Sequence, residues 1–368
     1  MLRRMIPRIL LVAACATALQ AQQTKVIPQG MDFVEGPEVS TVPFSATTSG
    51  IQLLIEASQI TQSVGVLNGI RFRPTQSAQS SAGFTKNYQI LAYTVPTTAA
   101  AFEASATPYD PNSIIAGATP TLVFNGPVTF PATGPLLLAP APFSIYFQFS
   151  TPYIYDGTQG NLLLMLESTD LQTTPGTYRI DAVQFRETVI TGIAQPIDLA
   201  GCTVNSSTLT SSISAASIAD GGSISVNLNS APANAFPAAI VTLGLTRADI
   251  DLGAIGLPGC FMRSGSLDFS QFAVATGGLY AATTWPIPND PFLRGLSLVT
   301  QSLGLAASGN FADSAVSNAH ALRIGQNQLP PTITAMYGFH TVTTTVNAWF
   351  HGTVGQITPV VQLEGVFP

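Results

Sequence analysis

Residues 144–149 read Ser-Ile-Tyr-Phe-Gln-Phe, and this stretch decides the fold class. Polarity changes at alternate positions, the period of a strand that buries one face and wets the other. Similar short runs recur at Ile51–Glu56, Gly69–Arg73, Tyr88–Tyr93, Thr121–Phe124, Phe143–Phe149 and Asn161–Glu167. Gly, Pro, Asn and Ser clusters separate them, the spacing of sandwiches and barrels. Helical patterns are scarce. Ala99–Ala106 is Ala-rich, but Pro96 and Pro108 bracket it, which predicts a loop with at most one helical turn. Leu245–Ala254 is expected to hold another short turn.

These patterns predict an all-β chain of two antiparallel β-sandwich domains, jelly-roll-like or Ig-like, behind a cleaved signal peptide. Residues 22–39 form an N-terminal extension and 40–190 the first sandwich, ending in the polar strand Tyr178–Phe185. Residues 191–201 are the linker and 202–327 the second sandwich. Within it, Ile213–Ile218, Asp220-Gly221-Gly222 and Ser223–Leu228 read as a hairpin. Further strands follow at Ala238–Leu245, Gln271–Val274 and Leu296–Leu305. Residues 328–368 add strands near Ile333–Gly338, Thr341–Trp349 and Ile357–Leu363, expected to pack on the second domain.

The first 21 residues have the layout of a secretory signal: Arg3, Arg4 and Arg8, an apolar Ile9–Ala16, then small residues. Cleavage is placed after Ala21, with Ala18 as the alternative. The apolar run is too short for a membrane span, and no later run could serve as one. Secretion or a cell-surface location follows. Only 9% of the chain is charged, so Ser, Thr, Asn and Gln must keep its surface wet. Removing the three leader arginines leaves 10 basic residues against 19 acids, a net charge of about −9. Such a chain lacks the basic footprint of a nucleic-acid binder. Cys15 leaves with the leader, so Cys202 and Cys260 remain as an even pair in an oxidising compartment. Either they form a disulfide, or they are two buried thiols.

Two stretches carry a resemblance. One runs from Ala200-Gly201-Cys202 through Gly259-Cys260 and Trp285-Pro286-Ile287-Pro288-Asn289-Asp290-Pro291-Phe292-Leu293-Arg294-Gly295-Leu296 to Gln301-Ser302, Ser317-Asn318-Ala319 and Ile324-Gly325. The other holds Gly69-Ile70-Arg71-Phe72-Arg73, Pro152-Tyr153-Ile154-Tyr155-Asp156 and Gly160-Asn161-Leu162-Leu163. In this order they resemble two modules of secreted, β-rich proteins common in planctomycete-type bacteria. The resemblance implies secretion and sandwich architecture. Those proteins carry no established activity, so it transfers no catalytic residue. Independently of it, Pro286, Pro288 and Pro291 withhold N–H donors and make a rigid corner that delivers Leu293 and Leu296 to a core strand. Trp285 is expected to plug one end of the sandwich.

Chemistry-bearing residues are sparse. His320, His340 and His351 match no metal spacing, and no G-x-S-x-G elbow is present. His340 and His351 are close enough in sequence to meet across a hairpin. Gly253–Gly259 is Gly-rich but lacks the Lys of a phosphate loop, and reads as a turn. Asp249 and Asp251, at i and i+2, are the best candidate pair for a hydrolase. They, with Asp110, Asn112, Asn289 and Asp290, also supply oxygens of the kind that ligate Ca²⁺. Arg71 and Arg73 alternate to one strand face and are expected to pair with acids such as Glu56, or with an anionic glycan. The first functional expectation is a secreted, non-catalytic structural or adhesive protein of the cell envelope or extracellular matrix, with envelope proteins as partners. The second is a carbohydrate-binding sandwich using Trp285, Tyr109, Tyr153 and Tyr155. The third is an extracellular hydrolase.

Overall fold

The alternation at 144–149 is realised in β7 (Ile145–Asp156), where Ile145, Phe147 and Phe149 point inward. The computed structural model describes residues 22–41, 44, 49–61, 63–75, 81–103, 115, 117–134, 140–169, 178–184, 192–198, 200–325, 333–339, 348–351 and 357–367. Residues 1–21, the expected leader, lie outside them. The described chain is almost entirely β, with two short α-helices, α1 (Ala57–Ile60) and α2 (Ala99–Glu103).

In the first unit, one sheet runs β1 (Gln23–Ile27), β26 (Val361–Val366), β4 (Val64–Phe72), β7. A second runs β24 (Ala348–His351), β23 (Ile333–Phe339), β3 (Ser49–Ile55), β8 (Asn161–Ser168), β5 (Phe84–Val95), β6 (Thr121–Phe130). A small third sheet joins β2 (Glu38–Ser40), β9 (Ile180–Gln184) and β25 (Ile357–Pro359). Aromatic rings fill the space between the two large sheets. Phe72 and Phe147 meet edge-on at 5.8 Å, Tyr88 and Phe147 at 5.6 Å, and Phe44 reaches both Phe72 and Phe130. Each such ring contributes about 1.5–3 kcal/mol by burial. The second sheet is also covered on its far face, where Phe102 and Ala99 of α2 pack on Leu54, Leu163 and Met165. Double coverage explains why Asn161–Leu166 reads as a continuous apolar run rather than an alternation.

In the second unit, the main sheet runs β10 (Ile193–Pro196), β22 (His320–Arg323), β20 (Ser297–Leu305), β14 (Ala238–Gly244), β17 (Phe269–Thr276), β18 (Leu279–Tyr280), with β21 (Ala315–Val316) also on β20. It faces β11 (Thr203–Val204), β12 (Ser207–Ile213), β13 (Ser223–Ala231) and β19 (Thr283–Pro286), and a hairpin of β15 (Arg247–Asp251) and β16 (Phe261–Ser264) lies beside it. Leu209, Val226 and Leu228 meet Phe236, Val241, Leu243 and Leu298 between the sheets. The pairings of both units are antiparallel, as expected. Cys202 and Cys260 are joined, with Cα atoms 5.1 Å apart, and tie β11 to the loop before β16.

The domain boundaries differ from the expected ones in three places. Among the described residues, the C-terminal strands pair within the first unit and not with the second. β23 pairs with β3 over Ile333↔Ile55 to Phe339↔Ser49, β25 pairs with β9, and β26 pairs with β4. Residues 22–39 are not an appendage either: β1 lies against β26, from Gln23↔Gly365 to Ile27↔Val361, and β2 pairs with β9. The first unit is therefore closed by strands from both ends of the chain, and the second is inserted between β9 and β23. Lastly, the expected linker contains β10, the edge strand paired with β22. A side chain on Gly192, just before it, would fall on the carbonyl oxygens of Ile218 and Arg323. Only glycine fits that approach. Leu245–Ala254 holds β15 and then a 3₁₀ turn, because its apolar and charged residues alternate across a two-stranded ribbon.

The seam between the units is buried and holds a polar cluster beside apolar contacts. Arg73 donates from Nε to Asp181 Oδ2 at 2.6 Å and from Nη2 to the Val34 carbonyl at 2.6 Å. The Gly36 N–H donates to the other Asp181 oxygen at 2.7 Å. Burial pushes the Asp181 carboxyl upward, and Arg73 pulls it back. Arg323, from the second unit, is fully buried nearby; burial lowers its guanidinium to about 10 against the field of Asp181. Glu35 and Gln195 exchange backbone-to-side-chain hydrogen bonds of 2.7 and 2.9 Å across the seam. Val299, Ala319 and Ala321 of the second unit belong to the first unit's apolar core.

Candidate functional site

The structure places most of the sequence-derived candidates. Tyr153 and Tyr155 are core residues: the Tyr153 hydroxyl lies 2.9 Å from Thr94 Oγ1, and the Tyr155 hydroxyl donates to the Gly160 carbonyl at 2.8 Å. A buried ring offers no face to a sugar, so neither can serve as a glycan platform. Tyr109 lies outside the described residues, as do Asp110, Asn112 and His340. His351 stands opposite Met336 in the β23–β24 pair. Trp285 is half-buried and packs against the second unit's core.

The carboxylates are spoken for. Asp249 accepts from Arg263 Nη1 at 2.8 Å, while Arg263 also forks onto Asp198. Asp251 accepts from the Gly253 N–H at 2.8 Å, and Asp290 caps a 3₁₀ turn by accepting from the Phe292 N–H at 2.9 Å. Arg71 and Arg73 do pair with acids, but with Glu364 and Asp181. Glu56 instead accepts from the Ala99 N–H at the start of α2. Among the described residues, no three His, Cys, Asp or Glu side chains gather as a metal site. His320 sits buried with Nε2 2.9 Å from the Ser211 carbonyl, beside Asn318, and burial lowers its pKa below 6.5. A cavity of about 370 Å³ at the seam, between Asp32 and Arg294, contains one carboxylate; burial pushes Asp32 up, and Arg73 and Arg247 pull it back.

The feature that sequence reasoning missed is an apolar surface. Fifteen large apolar side chains are exposed among the described residues, and twelve of them lie between Leu245 and Phe311. Phe292 is 93% exposed on the turn Pro291–Leu293, and Leu279 is 74% exposed beside β17. Beside Leu293 of that turn a groove of about 360 Å³ opens between the two sheets, lined by Leu243, Leu245, Phe269, Trp285, Ile287 and Leu296, among others, while Leu279 lies at the other end of β17. The groove lacks the ring of hydrogen-bonding groups that orients a sugar on an aromatic platform. The sequence carried one signal for this surface: between Arg263 and Asp290 the sole charged residue is Asp268.

The outer face of the main sheet shows how this surface arises. Register places Val299, Gln301, Leu303 and Leu305 of β20 opposite Gly244, Thr242, Ile240 and Ala238 of β14. Ile240 in turn lies opposite Phe272 of β17, and Ala238 opposite Val274. At one end the first unit covers Val299. Further along, the β15–β16 hairpin covers Gln301, whose Oε1 accepts from the Arg263 N–H and whose Nε2 donates to the Phe261 carbonyl. Beyond the hairpin, Phe272 and Val274 are 62% and 58% exposed.

Comparison of the chain with protein-family models, with curated proteins and with solved structures finds no match. Any functional reading therefore rests on the chain's own residues. Among the described residues, no helix is long and apolar enough to cross a membrane.

Proposed function

We propose that this is a secreted, non-catalytic structural or adhesive protein of the cell envelope or extracellular matrix, which docks charge-poor partners through its second unit. The observation that carries the reading is the concentration of exposed apolar side chains between Leu245 and Phe311. Large apolar side chains exposed to water are costly where they gather, and such gatherings mark interaction sites. Export is supported by the leader-like residues 1–21 and by the Cys202–Cys260 bridge, a bond of oxidising compartments.

The test is fractionation of the native host expressing a tagged full chain. The chain is expected in washed envelope or matrix material, and Leu279→Lys combined with Phe292→Asp should release most of it to the medium. Both side chains are exposed, so the fold should survive the change. Retention that ignores these substitutions, or a chain that stays in the cytosol, overturns the reading.

A further inference from the structure

Sheet edges invite strand pairing with another chain, and natural proteins blunt them with shortness, Lys, Pro or bulges. Most edges of this molecule are blunted in this way. β1 carries Lys25, β6 carries Pro127, β7 carries Pro152, β10 carries Pro196 and β19 carries Pro286. β2 and β25 span three residues each, β11 and β18 two each, and β15 carries Arg247, Asp249 and Asp251. β17 differs. Its eight residues, Phe-Ser-Gln-Phe-Ala-Val-Ala-Thr, hold no charge and no proline, and its pairing with β14 runs without a bulge from Ala238↔Val274 to Leu243↔Phe269.

One side of β17 is open over most of its length. β18 occupies that side only at Ala275 and Thr276. The direction of the backbone groups follows from one bond. The Ala275 N–H donates to the Pro237 carbonyl at 2.8 Å, in line with the β14 ladder. Antiparallel strands alternate, so Ala273, Gln271 and Phe269 also turn their polar groups toward β14. Ser270, Phe272 and Val274 then direct three N–H and three C=O groups to the open side. Among the described residues, no strand pairs with them there.

We infer that this edge pairs antiparallel with the same edge of a second copy of the chain, making one continuous sheet across a two-fold axis. The inference rests on the docking role of the second unit's apolar surface and names the occupant of one part of it. A two-fold axis at Phe272 sets Ser270 against the partner's Val274 and Phe272 against the partner's Phe272. Each of these three pairs exchanges two backbone hydrogen bonds, six in all. The pairing ends at Val274, where β18 takes over the edge. Charge agrees with a self-partner: the lone charge between Arg263 and Asp290 is Asp268, which precedes the strand and accepts from the Leu245 N–H and Ser266 Oγ of its own chain, so no like charges meet at the axis. The segment offers no ion pair to an acidic or basic partner, and its matched surface is its own apolar, β-branched and aromatic sequence. An isologous contact of this kind closes as a dimer rather than running on as a fibre.

The test measures the mass of the full secreted chain in solution up to about 100 µM, where a Kd of about 10 µM leaves most chains paired. The expected result is twice the chain mass. Ser270→Pro should return the single-chain mass with an unchanged circular dichroism spectrum, since it removes an N–H that β14 does not use. Phe272→Lys should do the same, and Ile154→Lys on the first unit should leave the dimer intact. Phe272→Cys should form an inter-chain disulfide in air. A single-chain mass for the unmodified protein overturns the inference, as does a dimer that survives both Ser270→Pro and Phe272→Lys. A single-chain mass together with strand pairing to a different protein overturns it too. If envelope retention still depends on Leu279 and Phe292 while the protein is monomeric, the docking role stands and only the self-partner falls.

Discussion

The two units share an architecture and differ in where they put their apolar residues. In the first, rings such as Phe44, Phe72, Tyr88, Phe130 and Phe147 sit inside, and the exposed large apolar residues of its described part are Val64, Leu122 and Ile154. In the second, smaller side chains fill the core, while Phe269, Phe272, Leu279 and Phe292 lie outside. The first is closed by β1 and β26, strands from both ends of the chain. The second is an insertion into it and carries a disulfide of its own. The difference suggests a division of labour: one unit spends its aromatic residues on stability, the other on contact.

The largest expected effect falls on the first unit. Arg73→Ala strands the buried Asp181 and deprives the Val34 carbonyl of its donor. It should lower stability by about 3–5 kcal/mol, read from urea unfolding. A loss below about 1 kcal/mol would show that the seam is not built on this pair.

Next comes the second unit's bridge. Cys202 and Cys260 are 58 residues apart, and replacing both with Ser should cost roughly 4 kcal/mol in the chain-entropy view. The loss should appear in the second unit's unfolding while the ring-filled core of the first keeps its near-ultraviolet signal. Simultaneous loss of both signals would mean that the seam couples the units into one cooperative block.

A smaller effect depends on pH. Burial holds His320 below its ordinary value of 6.5, so the folded state binds its proton later than the unfolded one. Stability from this source is whole above pH 6.5 and is lost as pH falls from 6.5 through the folded pKa. His320→Gln should therefore flatten the decline in urea midpoint between pH 7.5 and 5. An unchanged slope would mean that acid loss comes from other groups.

The smallest effects sharpen the contrast most. Ile154→Lys and Phe272→Lys should each change stability by no more than about 0.5 kcal/mol, since both side chains are exposed. Only Phe272→Lys is expected to change association.

Much of the fold was legible because period-two alternation reports faces directly. It marked β7, apolar runs between turn residues marked β5 and β14, and residue number with the expected export context marked the cysteine pair. Pairing partners were not legible. Ile333–Phe339 has an apolar pattern that fits any sheet, and nothing local says that it returns to Ser49–Ile55. The glycan candidates illustrate a signal that was present but not followed. Tyr153 and Tyr155 have the parity of Ile145, Phe147 and Phe149 on one strand, which places them inside. The exposed apolar surface was illegible for the opposite reason: Phe269, Phe272 and Val274 break the alternation, so pattern alone cannot tell core from exposed face.

Amide hydrogen exchange along β17 tests the division of labour most directly, residue by residue. The N–H groups of Phe269, Gln271 and Ala273 face β14 and should be protected at every protein concentration. Those of Ser270, Phe272 and Val274 should exchange freely in dilute protein and gain protection as concentration rises. Exchange of the two sets that stays equal, or that does not change with concentration, would contradict an edge built for pairing.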